Sequence, residues 1–166
     1  MEAKAFLIKL VRDRQVWVPD LLDVWEASVR VSHDFLDEAA IQAIKEEVPA
    51  ALLAVDHLVL VRSAVGETAG FMGLVGDRLE MLFVHPSYSG DGLGRALLTI
   101  GISSHGLNRL TVNEQNAQAV AFYQHMGFVT YRRTEVDEEG RPYPLLYMRY
   151  EGQEISDIFG TRTEDA

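Results

Sequence analysis

The stretch Ser89-Gly90-Asp91-Gly92-Leu93-Gly94-Arg95 is where residue types and spacing first point to chemistry. Its closely spaced glycines let a backbone approach a ligand without Cβ clashes. If a helix starts there, its free N–H groups converge and the helix dipole favours an anion. A pyrophosphate suits such a site. A glycine-rich turn that merely joins two elements accounts for the same residues equally well. Two common anion sites are excluded by spacing. The third glycine of G-x-G-x-x-G would fall on Arg95 or Leu97, and no G-K-[ST] is present. The chain has no cysteine, which excludes a thiol nucleophile, disulfides and thiolate metal sites. His57, His85, His105 and His125 show no ligand spacing with carboxylates, so no metal site is expected.

The elements around this turn follow from periodicity. Ala5 to Val11 reads as a strand. Pro19 suits the first turn of a helix whose face carries Leu21, Leu22, Trp25 and Val29. Ser32-His33-Asp34 interrupts the pattern. A second helix fits Leu36 to Val48, with Pro49 ending it. Strands are expected over His57 to Ala64, Ala69 to Val75 and Leu79 to Val84, with a turn at Gly66-Glu67. A third helix starts within Gly90 to Gly94 and buries Leu93, Leu97 and Ile100. Arg109 to Val112 is a short strand, and Asn116 caps a fourth helix that ends at Gly127. Two final strands, Phe128 to Val136 and Tyr143 to Tyr150, flank the turn Asp137-Glu138-Glu139-Gly140. The order β-α-α-β-β-β-α-β-α-β-β implies an α/β or α+β sheet, antiparallel at first and locally parallel around the third helix.

Composition narrows the function classes. The 166 residues suit one domain, and 48% hydrophobic content suffices for a packed core. No apolar run approaches the roughly 20 residues of a membrane span, and Met1 to Leu10 does not resemble a signal peptide. A cytoplasmic location follows as the default. A net charge of −10 opposes binding to a nucleic-acid backbone and suits a basic acceptor. Residues 151–166 are polar, aperiodic and rich in acids, and read as a flexible tail behind a domain spanning 1–150.

Two motifs now become recognisable. Leu82-Phe83-Val84-His85-Pro86-Ser87-Tyr88 leading into the glycine turn resembles motif A of the GNAT (Gcn5-related) N-acetyltransferase family, whose two required glycines fall on Gly92 and Gly94. Asn113 to Phe128 resembles motif B, with an Asn at a helix start (Asn116), a Tyr seven residues on (Tyr123), then Gly127-Phe128. Together they cover about a third of the chain, at the family's usual separation. Ser32-His33-Asp34-Phe35-Leu36, with the ending around Glu135 to Leu146, resembles the bacterial YjaB-type subgroup. Two departures from the pattern stand out. Ser89 replaces the usual Gln or Arg, and Asp91 lies where a basic residue is common.

The resemblance implies the GNAT fold: a mixed central sheet of about seven strands flanked by about four helices, with a splay between strands 4 and 5. It implies acetyl-CoA as co-substrate. The backbone of Gly90, Asp91, Gly92, Leu93, Gly94 and Arg95 would hold the diphosphate. Backbone groups of Leu82, Phe83 and Val84 would hold the pantetheine arm, and Asn116 would either reach it as well as capping its helix or serve as the cap alone. Tyr123 would be the general acid for the leaving thiolate, and a packing role is its alternative. The family's Glu five residues before the motif B Asn is Thr111 here, so the base must lie elsewhere. Glu80 is the first substitute, with an ordinary exposed strand carboxylate as its alternative; His33 is the second, with a helix-capping or surface histidine as its alternative; a water chain is the third.

The sequence therefore predicts an N-acetyltransferase. It would move an acetyl group to a primary amine by direct attack in a ternary complex. The acceptor would be a protein lysine or N-terminus, or a small amine. No nucleic acid, membrane or metal partner is expected, and the chain would be a monomer or homodimer. The alternative is a non-catalytic acyl-CoA-binding sensor on the same fold.

Overall fold

The computed structural model describes residues 5–152, so most of the expected tail, from 153 onward, lies outside the described residues. The chain divides into two compact units, Met1–Leu107 and Asn108–Ala166. Among the described residues, seven strands and four α-helices are found in the order read from the sequence, with one added 3₁₀ turn.

In the first unit, β1 (Phe6–Leu10), β2 (His57–Ser63), β3 (Thr68–Val75) and β4 (Arg78–Val84) pair antiparallel in chain order. β2 and β3 are buried through their middles, in keeping with the unbroken apolar runs Leu58 to Val61 and Gly70 to Leu74. Helices α1 (Arg14–Ser32) and α2 (Glu38–Ala54) cover one face. Their Leu21, Trp25, Val29, Ile41, Val48 and Leu52 share a core with Leu58, Leu60, Phe71 and Met81. α3 (Leu93–His105) packs on the other face, where Gly101 leaves room for Met72. A Cβ on Gly101 would lie 3.2 Å from the Met72 sulfur.

Both proline expectations need correction. Pro19 does not begin α1, which starts five residues earlier, and Pro49 does not end α2, which runs on to Ala54. Each proline removes one backbone donor inside a helix. The apolar face outweighs that loss, because α1 buries Leu21, Val24, Trp25 and Val29 beyond Pro19, and α2 buries Leu52 beyond Pro49. The second helix also starts at Glu38 rather than Leu36, because the Asp37 side chain accepts from the Ala40 N–H at 2.8 Å.

Arg14 closes the far end of this helix pair. Its guanidinium donates to the carbonyls of Leu53 at 3.1 Å and Asp56 at 3.0 Å, and also to that of Val55. These carbonyls lie at the C-terminal end of α2, where helical acceptors run out of partners.

In the second unit, β5 (Arg109–Asn113) pairs with β7 (Leu145–Tyr150), which pairs with β6 (Phe128–Thr134), both antiparallel. The turn before β7 is built as expected. The Asp137 carboxylate accepts from the N–H groups of Glu139 and Arg141, and Gly140 takes a φ of 77°. β6 carries a bulge: Thr130 faces Met148 and Arg132 faces Tyr147, so Tyr131 has no partner of its own across the ladder. α4 (Ala117–His125) is short, and Gly127 follows it with a φ of 98°.

Candidate active site

β4 runs into the glycine turn through a short, tightly bonded connection. The His85 N–H donates to Ala69 O at 2.8 Å and ends the ladder. Pro86–Tyr88 forms one 3₁₀ turn, with His85 Nδ1 accepting from the Ser87 N–H at 3.1 Å. Gly90 (φ 82°) and Gly92 (φ 78°) then take left-handed conformations that side chains rarely adopt, and a Cβ at either would meet nothing within 4 Å. The glycines thus serve backbone shape, with open space before them. Gly92 is the N-cap of α3 and offers no side-chain acceptor. The Ala96 N–H closes back on Gly92 O at 3.0 Å, which leaves the N–H groups of Leu93, Gly94 and Arg95 without an acceptor in their own helix. Three donors at a dipole's positive end form an anion site in chemical terms. Arg95 is exposed, while Asp91 is half-buried.

The register of β4 sorts its backbone groups. Ala69 and His85 form a hydrogen-bonded pair, so Phe71 and Phe83 do too, and the pairs Gly70–Val84 and Met72–Leu82 are the non-bonded ones. The N–H and C=O of Leu82 and Val84 therefore point away from β3. Those of Phe83 are spent on β3, which corrects its expected place among the backbone ligands of the pantetheine arm. The Phe83 ring instead packs 5.7 Å from Phe71.

Of the two expected bases, Glu80 is exposed on β4 and bound by Arg78, whose Nε donates to Glu80 Oε1 at 2.6 Å. His33 caps the C-terminus of α1 and is half-buried. The Ser32 hydroxyl gives its one proton to Ser28 O at 2.9 Å, so its 2.7 Å contact with His33 Nδ1 has the histidine donating. That leaves the lone pair on Nε2. Burial pushes His33 down to about 4, against a smaller upward pull from Asp34. The ring is neutral at pH 7.

The two helices that flank His33 are tied by residues the sequence reading passed over. Arg30 donates to both Glu38 oxygens at 2.7 and 2.8 Å, and Lys45 donates to Glu26 at 2.7 Å. Opposite charges on either side of the break at 32–34 were the available signal.

In the second unit, Asn116 is buried at 8% exposure and caps α4, its Oδ1 accepting from the Ala119 N–H at 3.2 Å. Tyr123 lies on α4, also 8% exposed, with its ring 5.3 Å from Phe122 and 6.1 Å from Phe128. Burial raises its phenol above the ordinary value, so it holds its proton at neutral pH. Thr111 sits on β5 opposite Tyr147.

Residues 23–150 match the family described as "Acetyltransferase (GNAT) domain". The peptidyl-lysine N-acetyltransferase YjaB of Salmonella typhimurium is 38% identical over 144 residues, 87% of this chain and 99% of that protein. The solution structure of apo YjaB from Escherichia coli superposes with a TM-score of 0.78 at 36% identity, covering 89% of this chain and 99% of that one. The PaiA N-acetyltransferase of Thermoplasma acidophilum, solved in complex with coenzyme A, shares the fold with a TM-score of 0.62 at 18% identity, over 87% of this chain and 99% of its own. The extent of the family match and the identity to YjaB over nearly its whole length show that this chain is an N-acetyltransferase belonging to the GNAT family.

Proposed function

We propose that this chain transfers an acetyl group from acetyl-CoA to a primary amine, and that the amine is a lysine on a protein. The observation that carries the cofactor assignment is the pair of left-handed glycines, Gly90 and Gly92, opening α3 onto empty space. The CoA diphosphate binds the backbone of Gly90, Gly92, Leu93, Gly94 and Arg95, while the expected Asp91 N–H is already taken by Tyr88 O. The amides of its arm pair with the outward backbone groups of Leu82 and Val84, and Asn116 reaches the arm while capping α4. The lysine preference is supported by the name of the YjaB relatives, peptidyl-lysine N-acetyltransferase.

The acceptor nitrogen attacks the thioester carbonyl directly. The C–N bond forms, the C–S bond breaks, the nitrogen loses a proton and the sulfur gains one. Tyr123 donates to the sulfur. Buried as it is, the phenol is a weaker acid than in water, so its main contribution is a hydrogen bond that strengthens as negative charge builds on sulfur. His33 Nε2 is the base in this reading, supported by its free lone pair and by the Arg78 bond that occupies Glu80. A ring held at about 4 is too weak to strip a free ammonium ion. It takes the proton only once the attacking nitrogen has become acidic, and the acceptor must arrive neutral.

Thiol release from acetyl-CoA against a panel of lysine peptides, N-terminal peptides, polyamines and amino acids tests this. Release with lysine peptides, rising with pH as more free amine forms, is expected. CoA binding without release by any acceptor would leave a sensor function instead.

A further inference from the structure

The geometry points to Tyr88 and Glu67 as a positioning pair that sets the glycine turn for the CoA diphosphate. This rests on the assignment of that turn to the diphosphate. The Tyr88 hydroxyl donates to Glu67 Oε2, across 21 residues of sequence. Each end is itself anchored. Glu67 lies in the β2–β3 turn, where its carbonyl accepts from the Ser63 N–H at 2.8 Å and its own N–H donates to Ser63 Oγ at 3.2 Å. Arg62 holds the same turn through Gly66 O at 2.8 Å. The Tyr88 ring stands edge-on to Phe6 of β1, 5.8 Å away at 82°, and 6.4 Å from the His85 ring.

The bonds that follow explain why this contact matters for binding. The Ser89 N–H donates to Pro86 O and the Asp91 N–H to Tyr88 O at 3.3 Å, so the carbonyl of Tyr88 carries the start of the glycine turn. Gly90 and Gly92 have the conformational freedom to take several shapes, and a diphosphate needs their N–H groups in one. A hydrogen bond to a charged carboxylate is stronger than a neutral one, and here it fastens the residue whose carbonyl bonds the turn. The role of Tyr88 and Glu67 is to position the turn rather than to bind CoA directly. They act by reducing the ordering the turn must undergo when the cofactor arrives.

The test is calorimetric titration of the full chain with CoA, alongside steady-state thiol release. Tyr88→Phe keeps the ring and its packing but removes the hydroxyl. We expect Tyr88→Phe and Glu67→Ala each to weaken CoA by about five- to tenfold. The double variant should be no weaker than the worse single, since both remove one contact. Glu67→Gln, whose amide oxygen still accepts, should restore most of the affinity. The KM for acetyl-CoA should rise by the same factor while kcat at saturation holds, a split that a merely structural role would not produce. Wild-type affinity in both single variants, or additive losses in the double, would overturn the pair. Gly92→Glu separates the two levels. If it binds CoA as well as wild type, the diphosphate assignment fails and the pair with it. If it loses CoA while Tyr88→Phe and Glu67→Ala bind normally, the pair alone fails.

Discussion

Arg30 grips Glu38 with two guanidinium nitrogens, at 2.7 and 2.8 Å, and so closes the turn between α1 and α2 in which His33 sits. The carboxylate is held down to about 2, chiefly by that contact. Both groups are in solvent, so the contact adds little to global stability. Its effect is local: it fixes where one helix ends and the next begins, and with them the histidine between.

That histidine gives the fold a pH dependence. His33 takes a proton near 6.5 in an unfolded chain and only near 4 in the native one. Between those values the unfolded chain binds a proton that the native chain refuses. Stability should therefore fall as pH drops below about 6.5, with the whole loss in place just under about 4. Urea midpoints across pH 3.5 to 7.5 for wild type and His33→Gln would show it. A difference curve that is flat across this window would mean His33 is as hydrated as an exposed histidine.

The base assignment separates by substitution. Glu80→Gln should leave turnover within about threefold of wild type, because Arg78 already occupies the carboxylate. His33→Gln should lower kcat by about tenfold or more, with little change in acetyl-CoA affinity. The reverse pattern would return the role to Glu80. Full activity in both would assign it to solvent.

Tyr123 matters while the carbon–sulfur bond breaks. Tyr123→Phe should bind acetyl-CoA nearly as wild type does while kcat falls by about 10²-fold. The ring keeps its contacts with Phe122 and Phe128, so melting should shift little. A variant within threefold of wild type in steady-state thiol release would leave Tyr123 a packing residue.

Arg14 should matter for stability alone. Arg14→Ala strips the carbonyls of Leu53, Val55 and Asp56 of their donor, for a loss of about 1–3 kcal/mol by chemical denaturation. Arg14→Lys should recover only part, since an ammonium lacks the fork that reaches several carbonyls. An unchanged denaturation midpoint in Arg14→Ala would show that water replaces the guanidinium at no cost.

Periodicity and apolar runs were enough to order every strand and helix, even though β1 and β6 are mostly exposed and β2 is buried on both faces. It misjudged the two prolines because the cost of a missing donor is local, whereas the burial of Trp25 or Leu52 that offsets it is tertiary. At the site, the glycine turn was legible because φ near 80° leaves few residue types available. The Asn116 cap was legible because its partner is three residues away. The Tyr88–Glu67 and Arg14–Val55 contacts were not, since each joins residues 21 or more apart. The spent backbone of Phe83 was hidden for a related reason: which groups of a strand face a neighbour depends on register, and register is settled by the partner strand.

The bulge in β6 bears on how the protein behaves when concentrated. Among the described residues β6 ends the strand order of its unit, and a terminal strand can recruit another from solution by offering an even row of donors and acceptors. The unmatched Tyr131 puts that row out of step between Thr130 and Arg132, and the guanidinium of Arg132 stacks 4.9 Å over the Tyr147 ring. Two molecules meeting along β6 would find both an interrupted ladder and like charges, so crowding should leave them colloidally separate rather than zipped into a shared sheet.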